Sequence, residues 1–501
     1  MTVSSSRSAN AISPLLALTV LLLSIFLWFY TTTGGRQIFV KEVLGSAYDS
    51  QAEHFLQGNV NVDAGAIMHE AMLVDGKVRM YFGPFPAFLR IPLNFIYPAG
   101  YGKWSRISGF SAAVIALFAF AGLLGTAMQG RPFRRGRNSL ENATQKRTTD
   151  CGPHDSLDKE SDLPKELSKH ARSWLGNACL IGFALGSPLL LLLGNLSIYD
   201  EAIIWGLAWS LGALYFAFQS RQADGAALTR SLFGFSLCAA WALLSRVTFG
   251  IPFVLIAPIL AFRVGREKRL VNLLALLLPL AMGLAFYVWL SYARFGNFTG
   301  VYYDFYVNTV HRDFAQTYGV FSLRRIPYTF ADYFSVGFPR LESQPPFLYA
   351  GRHLYIYPDL FSNFDSEVYV SVLWSSAWLV FAAVVGLVCL LRSKEAGLFQ
   401  WGIAGALFVQ FLCILSYFLL AQRYSADLYP FLIFCLLIFL GSDMAALTWP
   451  RRTIVILVVI SVAINMLATI SWLATADVNV PVQTRTVWKE LLGLPSSHKL
   501  K

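Results

Sequence analysis

Among the ionisable residues near long apolar runs of the sequence, Asp49, Glu70, Asp200, Glu201, Arg246, Arg294 and Arg423 fall on one side of the membrane. A charge at the centre of a bilayer costs roughly 2.5–3.5 kcal/mol on insertion scales, so each needs a reason to persist there. A carboxylate can take a proton from a hydroxyl, and a guanidinium can hold a phosphate. Acids and arginines gathered at one face of a membrane are the groups that chemistry on an anionic lipid head group needs.

Asp49 stands in GSAYDSQAEHFLQGN, where Tyr48, Ala52, Phe55 and Leu56 recur at helical spacing. The pattern predicts a surface helix with Asp49 in its first turn. Ser46 three residues earlier makes an S-x-x-D capping pattern, which is one use for the acid. The other is a general base at the membrane surface. Asp200 and Glu201 follow an apolar run in GNLSIYDEAIIWG; they suit the positive end of a helix dipole, or form a second acidic site. Arg423 has Asp427 four residues on, which suggests a local ion pair or a phosphate contact. Arg246, in LLSRVTFGIP, is expected either to pair with a carboxylate or to hold an anionic head group.

The elements that must position these residues are membrane spans. Of 501 residues, 56% are hydrophobic and 14% charged, against about 45–50% and about 25% in a soluble domain. Mean hydropathy is +0.53, and the high apolar content, the lack of a glycine period and the count of only six cysteines exclude a disordered chain, a collagen and a disulfide scaffold. The fold class is an all-α polytopic membrane protein with about eleven transmembrane helices and two structured extracytoplasmic loops. The runs lie near 12–30, 107–127, 175–193, 201–219, 231–248, 250–263, 270–291, 369–391, 398–420, 427–446 and 453–475. The fifth and sixth are two short helices or one kinked span, because Arg246, Gly250 and Pro252 interrupt them. Residues 83–99 are apolar too, but Pro84, Pro86, Pro92 and Pro98 predict a broken interfacial segment.

Cations orient the chain. Arg131, Arg134, Arg135 and Arg137, then Arg263, Arg266, Lys268 and Arg269, then Arg392, Lys394, Arg451 and Arg452 fall on one side. The short connections 194–199 and 421–426 on the other side hold only Arg423. The positive-inside rule then predicts a multi-pass protein of the inner or plasma membrane, N-terminus cytoplasmic and C-terminus outside. The first run reads as an uncleaved signal anchor. The expected organisation is two spans over 1–127 with an outer loop at 32–106, a disordered cytoplasmic linker at 128–172, and spans three to seven over 173–291. An aromatic-rich outer loop at 292–368, spans eight to eleven over 369–476 and a short outer tail at 477–501 complete it. The aromatics of the second outer loop, including Tyr302, Tyr303, Phe305 and Tyr306, are either an interfacial belt or a lid that stacks on sugar faces. The two outer loops hold none of the six cysteines, so no disulfide framework is expected in them. The chain has no GxxxxGK[ST], HExxH, CxxC or GxSxG, leaving ATP-driven transport, zinc proteolysis and serine hydrolysis unsupported.

An outer loop that opens with an acid in AYDSQAEHFLQGN, followed by DGKVRMYFGPFPAFLRIP, resembles the GT-C superfamily of polytopic glycosyltransferases. That group includes protein O-mannosyltransferase and aminoarabinose-transferase relatives. YDEAIIWG, SRVTFGIP, YARFGNFTGVYYDFY and QRYSADLYPFL also resemble segments of its bacterial members, so the likeness is scattered from about 40 to 430. The resemblance implies transfer of a sugar, with inversion, from a polyprenyl-phosphate-linked donor to a hydroxyl of an extracytoplasmic glycan, lipid or protein. It implies Asp49 as catalytic base, and Asp200, Glu201, Arg246 and Arg423 as substrate-binding residues. Members often carry paired acids in the first loop, whereas a single acid follows Tyr48 here; a divalent metal is left open and no metal ligand is assigned. The partners implied are the lipid-linked donor, the acceptor and the bilayer, with no nucleic acid. The alternative is a lipid-linked oligosaccharide flippase or another transporter without chemistry.

Overall fold

A computed structural model describes residues 13–129, 165–265, 268–298, 300, 303–343, 347–349, 359–362, 370–475 and 480–494. The described chain is mostly helical with little sheet. Its helices are α1 (Pro14–Thr31), α2 (Ala47–Leu56), α3 (Phe85–Ile96), α4 (Ser105–Met128), α5 (Lys165–Leu185) and α6 (Pro188–Gly194). They continue with α7 (Ile198–Ser220), α8 (Gly225–Ser245), α9 (Val247–Ala261), α10 (Arg269–Phe295), α11 (Thr309–Tyr318) and α12 (Ile326–Tyr333). The last are α13 (Ala377–Arg392), α14 (Leu398–Leu415), α15 (Tyr429–Gly441), α16 (Thr448–Thr475) and α17 (Val482–Leu491).

Among the described residues, nine helices are long and apolar enough to cross a membrane. This is a multi-pass, helical membrane protein. Two of the eleven expected runs fold as shorter apolar helices, α9 and α13. The question of one kinked span or two helices resolves to two. Arg246 takes an extended conformation (φ −158°, ψ 123°) between α8 and α9. The chain doubles back there because Gly250 lets the backbones touch; a Cβ on it would sit 2.4 Å from the Leu243 Cα. The third span is itself broken between α5 and α6. Ser187 accepts the Leu189 amide at 3.1 Å to restart the helix before Pro188, and the Trp378 indole bonds the Gly186 carbonyl at 3.0 Å.

Two other expectations need correction. Residues 85–96 form one continuous helix, α3, despite its prolines: Pro86 lies in the first turn, where no helical hydrogen bond is lost, and only Pro92 is interior. Most of the proposed linker lies outside the described residues, but 165–172 belong to α5.

The loops gather at one end of the bundle. A hairpin of β1 (Met72–Val74) and β2 (Lys77–Arg79) turns at Asp75 and Gly76, both at positive φ. Tyr306 of the second loop bridges to Met72, and the Val307 amide bonds the Ala71 carbonyl at 3.0 Å. The second loop also carries a short ladder of β3 (Arg340–Leu341) and β4 (Leu348–Tyr349). It is tied down by Arg325, a fully buried guanidinium that bonds the carbonyls of Leu360, Val320, Tyr318 and Gly319. The tail helix α17 returns to the same end, where Arg106 bonds Thr484 at 2.8 Å.

Candidate functional site

Tyr48, Ala52, Leu44, Met80 and Phe82 form a small apolar core under the first loop, and Ile198 of α7 belongs to it. Tyr48 also donates to the Ile198 carbonyl at 3.1 Å. This packing sets α2 against α3 and against the first turn of α7. Asp49 then faces Arg90 of α3, with Nε to Oδ2 at 3.6 Å, and Arg90 faces Glu201 of α7. One guanidinium nitrogen of Arg90 lies 2.7 and 2.8 Å from the two Glu201 oxygens. All three side chains are 0% exposed.

The capping use for Asp49 does not hold. Ser46 makes no side-chain cap bond, and neither Asp49 carboxyl oxygen has a hydrogen bond within ordinary reach. The acid is turned into the protein because the same helix face that carries Tyr48 and Ala52 is the buried one. Two carboxylates and one guanidinium leave the cluster with one uncompensated negative charge when all are ionised. Burial pushes the Asp49 carboxyl up to about 6 against the pull of Arg90, and the charge of Glu201 adds to the rise.

A second group lies beside it. Arg246 pairs with Asp427 at 3.4 Å, and Thr248 donates to the same carboxylate oxygen. The expected ion pair between Arg423 and Asp427 is therefore replaced. Residues Gln422–Leu428 are a 3₁₀ helix, in which side chains three apart align and those four apart diverge. The Arg423 guanidinium instead lies 4.5 Å from the Tyr199 ring centre and 5.1 Å from that of Tyr424. Arg246 lies 5.0 Å from the same Tyr424 ring. Asp200 accepts from Ser197 at 2.5 Å and Asn195 at 3.2 Å. With Arg423, Gln422, Asn465 and Trp472 it lines a small cavity between α6, α7 and α16; Asp49 is not among the lining residues.

Three consecutive residues of α7 thus divide between the groups: Tyr199 and Asp200 stand with Arg423, and Glu201 stands with Arg90 and Asp49. Glu70 is a further acid nearby, taking hydrogen bonds from Tyr81 at 2.8 Å and Tyr306 at 2.6 Å. Burial lowers the nearby His311, whose ring lies 2.7 Å from the Ser362 hydroxyl. Among the described residues no group of three or more His, Cys, Asp or Glu side chains is placed to hold a metal.

No protein-family model, curated protein or solved structure matches this chain. The site must be read from its own chemistry. Arg90 is the residue that sequence reasoning missed, although a lone cation in FPAFLRIP was its signal: an arginine in so apolar a helix is buried and paired, or else exposed on the polar face. Tyr199 and Tyr424, next to residues already singled out, carried no signal of their own.

Proposed function

We propose that this protein is a GT-C-type glycosyltransferase of a cell membrane. In this reading the loop end faces away from the cytoplasm, as the positive-inside count requires. The observation that carries it is the meeting of Asp49, Arg90 and Glu201 at the head of α7, where Tyr199 and Asp200 stand with Arg423. A base and fixed cations flanking one helix turn suit transfer from a lipid phosphate. A flippase would need polar groups along the membrane path, and the groups found here collect at one end.

Asp49 takes the proton of the acceptor hydroxyl as the oxygen bonds to the anomeric carbon. The bond from that carbon to the phosphate oxygen breaks, and polyprenyl phosphate leaves with the electron pair. Positioned proton transfer of this kind supplies about 10²–10⁴-fold. Arg423, in the cavity beside Trp472, and Arg246 would offset the phosphate charge where water is scarce. Asp49 has no exposed surface, so the acceptor reaches it only when its cover moves. Part of that cover is the turn at Gly102, which takes positive φ and packs on Ser46.

The test is sugar transfer from a panel of polyprenyl-phosphate sugars in membranes holding wild type or Asp49→Asn, matched for folded protein. Activity lost only in the variant supports the reading. Equal activity in both removes Asp49 as base. Lipid export without transfer would replace the enzyme with a transporter.

A further inference from the structure

The three buried charges do not share the guanidinium equally. Arg90 gives Glu201 two contacts at 2.7 and 2.8 Å through one nitrogen, while Asp49 receives a longer approach of 3.6 Å and no hydrogen bond. Arg90 is therefore committed to Glu201. We propose that Glu201 and Arg90 are positioning residues for Asp49: Glu201 anchors the guanidinium so that it steadies the Asp49 carboxylate without neutralising it. This inference rests on the reading of Asp49 as the base.

The physical reason is competition. A carboxylate that captured Arg90 in a bidentate bond would be a weak base, because the charge that must accept the proton would already be compensated. An Asp49 with no cation at all would not stay ionised in so dry a place. Sharing Arg90 with a stronger partner sits between these limits, and basicity near the working pH is what proton transfer rewards. Other groups also bear on Asp49. Tyr101, in the turn between α3 and α4, feels the Asp49 charge, and Asn94 of α3 and the Gly102 amide pull the Asp49 carboxyl down as neutral donors. Glu53 and Asp63 act on Tyr101 from α2 and from the loop that follows it. Tyr48 stands between Glu201, Arg90, Arg294 and Arg246, and its hydroxyl is committed to Ile198.

Removing Glu201 should release Arg90 to Asp49. The experiment measures transfer against pH for wild type, Glu201→Gln and Arg90→Lys, each purified and shown to be folded. The acidic limb is expected to move down by about one pH unit or more in Glu201→Gln, a tenfold weaker hold on the proton, with a several-fold lower plateau rate. A rate loss with the limb unmoved would overturn the proposal and leave Glu201 a purely structural contact.

The same question can be asked without turnover, by following thermal unfolding against pH in wild type, Asp49→Asn and Glu201→Gln. The step that Asp49→Asn abolishes should shift to lower pH in Glu201→Gln. If it stays in place, the positioning role is wrong even where transfer is observed. If it shifts while no donor is turned over, the glycosyltransferase reading fails and the charge relationship stands. Should Glu201→Gln not fold, Arg90→Lys decides: a lysine held by Glu201 no longer reaches Asp49, so the step should move to higher pH, and a step left in place overturns the proposal.

Discussion

Arg90 and Glu201, 111 positions apart, meet through one guanidinium nitrogen that lies 2.7 and 2.8 Å from the two carboxylate oxygens. The pair joins a short helix of the first loop to the head of a membrane span, with no exposed surface on either side chain. Asp49 is the third member and the one with least to hold it. The consequences can be tested one residue at a time.

Arg90→Leu should destabilise the protein severely. It would leave two buried carboxylates without a cation, and breaking a buried pair from one side costs about 3–5 kcal/mol. The expected outcome is a large drop in thermal midpoint in detergent. Asp49→Asn, which leaves a neutral Arg90–Glu201 pair, should fold at neutral pH as well as wild type or better.

Acidification should stabilise wild type through Asp49. Its folded-state value of about 6 lies above the ordinary aspartate range, so the folded protein binds this proton more tightly than the unfolded chain. The contribution is full below about pH 4 and is lost as pH rises through about 6, on the order of 3 kcal/mol in all. Thermal unfolding from pH 4.5 to 8 should show this step in wild type and not in Asp49→Asn.

Gly83→Ala should displace the first loop from the bundle. A Cβ there would lie 2.3 Å from both the Leu244 and Ser245 carbonyl oxygens, which are backbone atoms at the α8 corner and cannot swing away. Overpacking of this kind costs about 1–3 kcal/mol. Limited proteolysis in the first loop should become faster, and any activity that depends on Asp49 should fall with it.

Arg423→Lys should weaken donor binding while leaving the fold intact. Lysine keeps the charge and gives up the planar face that lies over Tyr199 and Tyr424. A several-fold rise in KM for a polyprenyl-phosphate sugar, with a smaller change in kcat, is the expected result. An unchanged KM would place the phosphate elsewhere.

Much of the fold is legible in the sequence because a bilayer leaves few choices. Runs of apolar residues near twenty long become helices, and α1, α4, α7, α8 and α10 appear close to where hydropathy puts them. Asp75-Gly76 between Val74 and Lys77 is a hairpin signal, and β1 and β2 pair around it. The prolines of 84–98 leave residues 85–96 unbroken, and Pro92 sits inside a continuous helix. Tertiary contacts keep α3 helical, since its first face packs Phe85, Ala87 and Arg90 into the protein.

The sequence by itself determined a multi-pass helical protein, a short helix carrying Asp49, which the structure buries where the sequence put it at the surface, and a set of acids and arginines near span ends. Those are local properties, set by periodicity and by the cost of moving polar groups into lipid. Only the tertiary structure decided the pairings: Arg90 with Glu201 and Asp49, Asp427 with Arg246 and not with Arg423, Glu70 with Tyr81 and Tyr306. A buried charge must find its counter-charge somewhere, but which one it meets depends on how helices distant in sequence pack, and no spacing along the chain encodes that directly.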